Sequence, residues 1–519
     1  MSKLVRAGLL FAAGTAWLAL ARPVDQGDAP LPPAAPVVKL NVVAVDARGQ
    51  AVPDLTREDF QVFDSGKLQH IASFRRNDVK PLRAAPPESN ESSNRSGAPL
   101  SRATVILFDL LNARFDDRGY ASSALVPALQ HVEDSDSLFL YILTMDGALY
   151  AVHPLPSPEG AARTTAKPWT GDIKPLLDEA ARKLFVLRPT DLDVDSRVRM
   201  TYRALGMLAS KVAVTPGRKS IIWISHGVPI SIASRNGDFD QIDYTPLLQR
   251  LTATLDRANV AVYTLRLPGS LAQANSPDGG LAGSRGPAPA GSLGAGLASA
   301  ETLDEFAGLT GGRAYGTVDI ERAITQAAND ARMSYLIAYD PPLDKWDGKY
   351  HKIRVVCSRK GVRLQTKQGY YAFAGDAHQG DQETAALETM ASSPFDIPEI
   401  GIYGRLMPTG KTPGEVNLEA RIDAADVQLT REGDLYTGQL AVGAAAYHAD
   451  GRGELGARST LSLRLSPEQH EQAMKDGFFF ARVATLQPTV RKLRVMVYDR
   501  ASGAIGSLTL KVPDTTAKP

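Results

Sequence analysis

Four nearly unbroken apolar runs dominate the first half of the chain: Thr104-Val-Ile-Leu-Phe108, Leu138-Phe-Leu-Tyr-Ile-Leu143, Ser220-Ile-Ile-Trp-Ile224 and Val260-Ala-Val-Tyr-Thr-Leu265. A strand without polar alternation has both faces buried, the environment of a parallel sheet covered by helices on both sides. Helical spacing fills the intervals. It runs over Tyr120–His131, over Ser196–Lys211 with Val198, Tyr202, Leu205 and Leu208 on one face, and over Leu247–Ala258. Strand–helix alternation of this kind predicts a doubly wound, Rossmann-like α/β domain with right-handed crossovers over residues 103–333. The low-complexity stretch 268–299 interrupts it. Glu301–Leu309, a short edge strand at Arg313–Tyr315 and a helix over Asp319–Met333 complete it.

The flanks follow a different period. Val38, Leu40, Val42 and Ala44 alternate with Lys39 and Asn41, and short strands follow at Phe60–Phe63 and Ile71–Phe74. Thr56 precedes a turn of helix as an N-cap, with Asp59 three positions on. Three short strands cannot close a core alone. Strands at Tyr335–Tyr339, Lys352–Val356 and Val362–Thr366, closed by Gly369-Tyr-Tyr371, are their expected partners. The α/β domain is therefore expected to sit inside a split β domain made of residues 37–78 and 334–373. Residues 79–102 and 374–393 read as linkers. Regularly spaced strands over 394–513 predict a C-terminal β-sandwich. Three such units suit a 519-residue chain that is 44% hydrophobic.

The N-terminus sets the expected compartment. Lys3 and Arg6 precede the apolar run Ala7–Leu20, which ends in the small-x-small pattern Ala19-Leu-Ala21. This is the layout of a signal peptide over residues 1–21, with an uncleaved N-terminal anchor as the competing reading, followed by a Pro/Ala-rich spacer at 22–36. The expected location is periplasmic or extracellular, with no membrane span after cleavage. The single cysteine, Cys357, excludes an internal disulfide and reads as a small apolar strand residue. A formal net charge of +1 gives no support for a nucleic-acid partner.

In an open α/β sheet, ligands meet the carboxyl ends of the strands. Asp109, Thr144, Ser225 and His226 stand at such ends. An acid there is held by neighbouring backbone amides, or it coordinates a hard cation such as Mg²⁺. His226 reads as a hydrogen-bonded loop residue, with a softer-metal ligand as the alternative. The eight histidines include no HExxH pair, which argues against a zinc hydrolase. Gly404-Arg-Leu-Met-Pro-Thr-Gly-Lys411-Thr412 imitates a P-loop but has one residue too many between its glycines, and Pro413 follows. Asp347-Gly348 is a hairpin signal.

Several motifs resemble the acidobacterial von Willebrand factor A-related proteins. They are Val45-Asp-Ala-Arg-Gly49, Leu55-Thr-Arg-Glu-Asp-Phe60, Val62-Phe-Asp-Ser-Gly66, Gly217-Arg-Lys219, Ala258-Asn-Val-Ala-Val-Tyr263, Thr310-Gly-Gly312, Tyr335–Tyr339 and Gly369-Tyr-Tyr371. The resemblance covers roughly residues 37–373. It implies a von Willebrand factor A domain whose ligand site is a metal-ion-dependent adhesion site. Asp109 matches the first acid of that site. Leu111 and Ala113 stand where two serines belong, His226 stands where the second acid belongs, and Thr190 and Thr201 are both candidates for the threonine. Asp109, Asn112, Ser225 and His226 are then the residues left to hold a weakly bound Mg²⁺ or Mn²⁺. Together with Thr144 and Thr190 they define the expected ligand-binding face. The implied function is that of an exported, non-enzymatic binding or adhesion protein whose degenerate site engages a protein or other envelope macromolecule. A structural envelope component with an extinct metal site, and an enzyme with a site between domains, are the alternatives.

Overall fold

The computed structural model describes residues 38–78, 91–95, 103–113, 125–129, 137–155, 169–184, 193–213, 215, 218–233, 241–267, 302–315, 320–339, 341, 347–372, 379–393, 396–410, 412–450 and 452–513. The expected signal peptide and spacer, the 268–299 insertion and Thr190 lie outside these residues. Among the described residues no helix is long and apolar enough to cross a membrane.

Strand Val38–Val45 buries its even-numbered residues, and it pairs antiparallel with Met333–Tyr339 on one side and Arg363–Gln365 on the other. Ile71–Asp78 adds to the far edge of Met333–Tyr339. A second antiparallel sheet places Phe60–Asp64 between Lys67–Gln69 and Tyr350–Cys357, with Gly369–Tyr371 outermost. The two sheets enclose one core, in which Leu40, Val42, Val62, Tyr335, Ile337 and Tyr339 are wholly buried. Residues 38–78 thus fold only with residues more than two hundred positions away. Between the sheets, His351 Nδ1 lies 3.2 Å from Asp64 Oδ1, while the Tyr339 and Tyr370 hydroxyls donate to Asp64 Oδ2 at 2.9 and 3.0 Å.

The apolar runs form one six-stranded sheet. Its order is Ala314–Tyr315, Val260–Arg266, Lys219–Ser225, Ala103–Asp109, Leu138–Leu143, Leu149–His153. The first five strands are parallel, and Leu149–His153 returns antiparallel. Helices Val194–Ala213 and Thr245–Arg257 cover one face, against Val105, Leu107, Ile221 and Trp223. Helices Ile173–Leu184 and Ile320–Arg332 cover the other, against Ile106, Ile142, Ile222 and Ile224.

The C-terminal unit packs the sheet Phe478–Thr485, Glu415–Ile422, Ile402–Pro408, Ser92–Ser93 against a five-stranded sheet built on Leu435–His448 and Val490–Asp499. Two segments expected to be linkers belong to it. Ser92–Ser93 pairs with Tyr403 and Gly404. Helix Gln379–Ser392 buries Leu387 and Met390 against Ala441, Ala445 and Met496.

These arrangements correct the expected fold class. The chain is mainly β, and among the described residues every sheet except the six-stranded one is entirely antiparallel. A doubly wound von Willebrand factor A fold of the α/β class is not its architecture. The apolar runs report burial of both faces locally, and that signal is loud. The alternating strands on either side are individually quieter but more numerous, and they decide the class. Even the six-stranded sheet ends on an antiparallel edge: the Thr144–Ala148 turn sends Leu149–His153 straight back.

Candidate functional site

Asp109 ends its strand on the face shared by Val105 and Leu107, because side chains alternate along a strand. Trp223 and Ser225 project to the same side from the neighbouring strand, where Leu107 pairs with Trp223. The carboxylate is fully buried and fully used. Its Oδ1 accepts from the Asn112 backbone at 3.0 Å. Its Oδ2 accepts from Asn112 Nδ2 at 2.8 Å, Trp223 Nε1 at 3.0 Å and Ser225 Oγ at 2.7 Å. Burial pushes the Asp109 pKa up, and the hydrogen bonds from Asn112, Ser225 and Trp223 pull against it.

The network reaches beyond its own loop. Asn112 Nδ2 also donates to Thr201 Oγ1 at 2.8 Å, and that hydroxyl donates to the Arg197 carbonyl at 2.8 Å, which ties the loop to helix Val194–Ala213. Ser225 Oγ accepts from the Gly227 amide at 2.9 Å, so the loop that carries half-buried His226 is fixed as well. Thr144 is buried and spends its hydroxyl within its own turn, on Asp146 and on Ala148. Gly147 in that turn has φ +78°, and a Cβ there would lie 2.7 Å from Met200 Sδ, so this turn also rests on the Val194–Ala213 helix.

Of the residues expected to form a binding face, Asp109, Asn112 and Ser225 therefore meet in one hydrogen-bond cluster. Thr144 stands apart in the adjacent turn, and His226 lies one residue beyond Ser225. The atoms pointing at Asp109 are N–H and O–H donors. They satisfy the carboxylate as protein hydrogen bonds, where a cation would need oxygen lone pairs at about 2.0–2.6 Å. Among the described residues no group of three or more His, Cys, Asp or Glu side chains is placed to hold a metal ion. Trp223 is the member of the cluster that sequence reasoning missed. Its signal was an indole N–H within an apolar strand, since a buried indole needs an acceptor.

The stretch resembling a P-loop is strand Ile402–Pro408 followed by a turn, with Gly404 opposite Ala420. Cys357 is half-buried at the margin of the core between the first two sheets.

No family model matches this chain, and no curated protein does. Among solved structures, a mutant of the PilB minor pilin from Streptococcus sanguinis shows similarity, with 9% identity, a TM-score of 0.25 and coverage of 45% of this chain. The match spans 61% of the pilin chain. At that TM-score the likeness bears on neither fold nor function.

Proposed function

We propose that the chain is an exported binding protein whose loops at the carboxyl ends of the parallel strands engage a protein or other macromolecule without a metal ion. One observation carries this reading: the Asp109 cluster braces the Leu110–Ala113 loop, the Ser225–Gly227 loop and helix Val194–Ala213 into one surface. Rigid presentation of loops removes the ordering cost that binding would otherwise incur. Asp109 itself is an internal brace; half-buried Leu110, Asn112 and His226 are the residues nearest to a partner.

The test is affinity capture from envelope extract with the wild-type chain, His226→Glu and Leu110→Glu, with Glu471→Lys on the distant C-terminal unit as control. The expected outcome is a partner set kept by the control and lost by both loop variants. An identical set in all four samples would remove this face from consideration.

A further inference from the structure

A cavity of about 560 Å³ lies where the first antiparallel sheet, the six-stranded sheet and the C-terminal unit meet. It is at the opposite end of the parallel strands from Asp109, since Lys219 opens the strand that Ser225 closes. Its volume is within the range of small-molecule sites, and junctions between domains are where such sites concentrate.

The alternation of the first strand explains its lining. Val38, Leu40 and Val42 enter the core, so Lys39 and Asn41 occupy the opposite face, which on a free sheet would meet water. Across the sheet, Asn41 pairs with Leu336 and Leu336 with Arg75, and all three line the cavity. The other units close over this polar face.

The charges there do not balance. Lys367 is paired with Asp256 at 2.7 Å and needs nothing more. Arg75 reaches Glu399 only at 3.4 Å through Nη2, and its Nε and Nη1 are buried with no hydrogen-bond partner. Lys219 is 5% exposed and donates to a single acceptor, the Thr215 carbonyl at 3.0 Å. Lys39 donates to the Gly503 carbonyl at 3.3 Å. Gly503 has φ +65°, and a Cβ there would collide with the Lys39 ammonium, so the backbone is shaped around that cation. Among the described residues Glu399 is the carboxylate shared by Lys39, Arg75 and Lys219. Asp499 and Asp256 also attract Lys39, but Asp256 is already paired with Lys367 and Asp499 accepts from Ser502, Gln428 and Ala501, so the cations Lys39, Arg75, Lys219 and Lys367 outnumber these carboxylates. Burial lowers the pKa of both lysines against the pull of Glu399, which marks the cost of keeping them charged there.

We infer that this cavity is a binding site for a small anionic molecule carrying a phosphoryl-type group, with Lys39, Arg75 and Lys219 as its ligands. The planar guanidinium has buried donors without acceptors on two of its sides, at Nε and at Nη1, and each can donate to an oxyanion oxygen. The two ammonium groups supply point charges from other sides. The half-apolar remainder of the cavity accommodates the body of the molecule beyond its charged group.

The probes are inorganic phosphate and pyrophosphate, titrated calorimetrically into the full chain at ionic strength matched with sodium chloride. We expect saturable binding to one site, weakened about tenfold or more in Lys219→Met and in Arg75→Gln. Lys475→Met, on an exposed helix, should bind like wild type. A second measurement needs no variant: pyrophosphate should slow acylation of Lys39 and Lys219, read by mass spectrometry, while Lys475 reacts unchanged. No saturable heat with either anion in the wild type, equal affinity in the folded cavity variants, or no protection of the two lysines would each overturn the assignment.

Discussion

Asp109 and Lys219 are both buried ionisable side chains at strand ends, and their surroundings give opposite expectations. Asp109 accepts four hydrogen bonds, so truncation strands donors on Asn112, Trp223 and Ser225. Asp109→Ala should cost about 3 kcal/mol or more in denaturant unfolding. Asp109→Asn removes the buried charge and turns one hydrogen bond against the Asn112 amide, so it should cost about 1 kcal/mol. Because burial raises the folded pKa of Asp109, its contribution is complete below the ordinary carboxylate pKa and is lost as pH rises through the folded value. Lys219 has its pKa lowered to about 8 by burial, against 10.5 for the free side chain. Between those values the unfolded chain binds the extra proton, so stability rises with pH across that window. Lys219→Met should therefore gain about 2 kcal/mol at pH 7, the release of the buried charge less the partner lost by the Thr215 carbonyl. Its advantage should shrink towards pH 10. Paired unfolding curves at the two pH values check this, and a constant difference would show that Lys219 carries no desolvation penalty.

At the scale of elements, the periodicity of the sequence located most strands and helices, and its failures have physical causes. Helix Val194–Ala213 and the four apolar strands lie where the spacing predicts them, because their patterns are long and strong. Ser92–Ser93 lay hidden because a two-residue strand has no period, and its neighbours Asn94 and Arg95 look like linker residues. In the folded chain, buried Asn94 donates to the Ile397 and Ile400 carbonyls at 2.8 Å each and accepts from the Ile402 amide at 2.9 Å. Arg95 pairs with Asp423 and Asp426. Such long-range demands for partners leave no local trace. The Asp109 site was legible as a location for the same reason that its chemistry was not: an acid at the end of an apolar run is visible, whereas the Trp223 donor to Asp109 and the Thr201 acceptor for Asn112 arrive from positions roughly a hundred residues away. Asn94→Ala should cost about 2 kcal/mol, since it leaves the Ile400 carbonyl and the Ile402 amide unsatisfied, while the Ile397 carbonyl keeps the Ser507 amide. Chemical unfolding gives the magnitude, and faster hydrogen exchange at the Ile402 amide gives the place. Unchanged exchange there would mean that the short strand does not depend on this side chain.

The molecule as a whole is organised by contacts between its ends and its middle. Strand Met333–Tyr339 is central in its sheet, flanked by Val38–Val45 and Ile71–Asp78, while Tyr350–Cys357 lies against Phe60–Asp64. The cluster around Asp64 joins the same halves, with His351 bridging Asp64 and Asp347 at 3.2 Å on each side and two tyrosine hydroxyls on the other Asp64 oxygen. Neither half can close its core alone, because a strand without neighbours leaves backbone donors and acceptors exposed along both edges. The six-stranded sheet keeps its own two helix-covered cores, and the C-terminal unit keeps its own sandwich core. A chain truncated before residue 79 should therefore lose one cooperative transition in calorimetry and retain the others, with new binding of a hydrophobic dye reporting the exposed faces of Tyr335, Ile337 and Tyr339. Supplying residues 38–78 in trans should restore the transition and abolish the dye binding, because strand pairing, the shared apolar core and non-covalent contacts such as the Asp64 cluster and the Arg359 pairs with Asp54 and Asp59 connect the halves of this core. Asp64→Ala in the supplied segment should weaken that rescue by about 3 kcal/mol, the cost of leaving buried partners unsatisfied. A truncated chain with an unaltered calorimetric profile would mean that residues 333–372 close their core without the N-terminal strands.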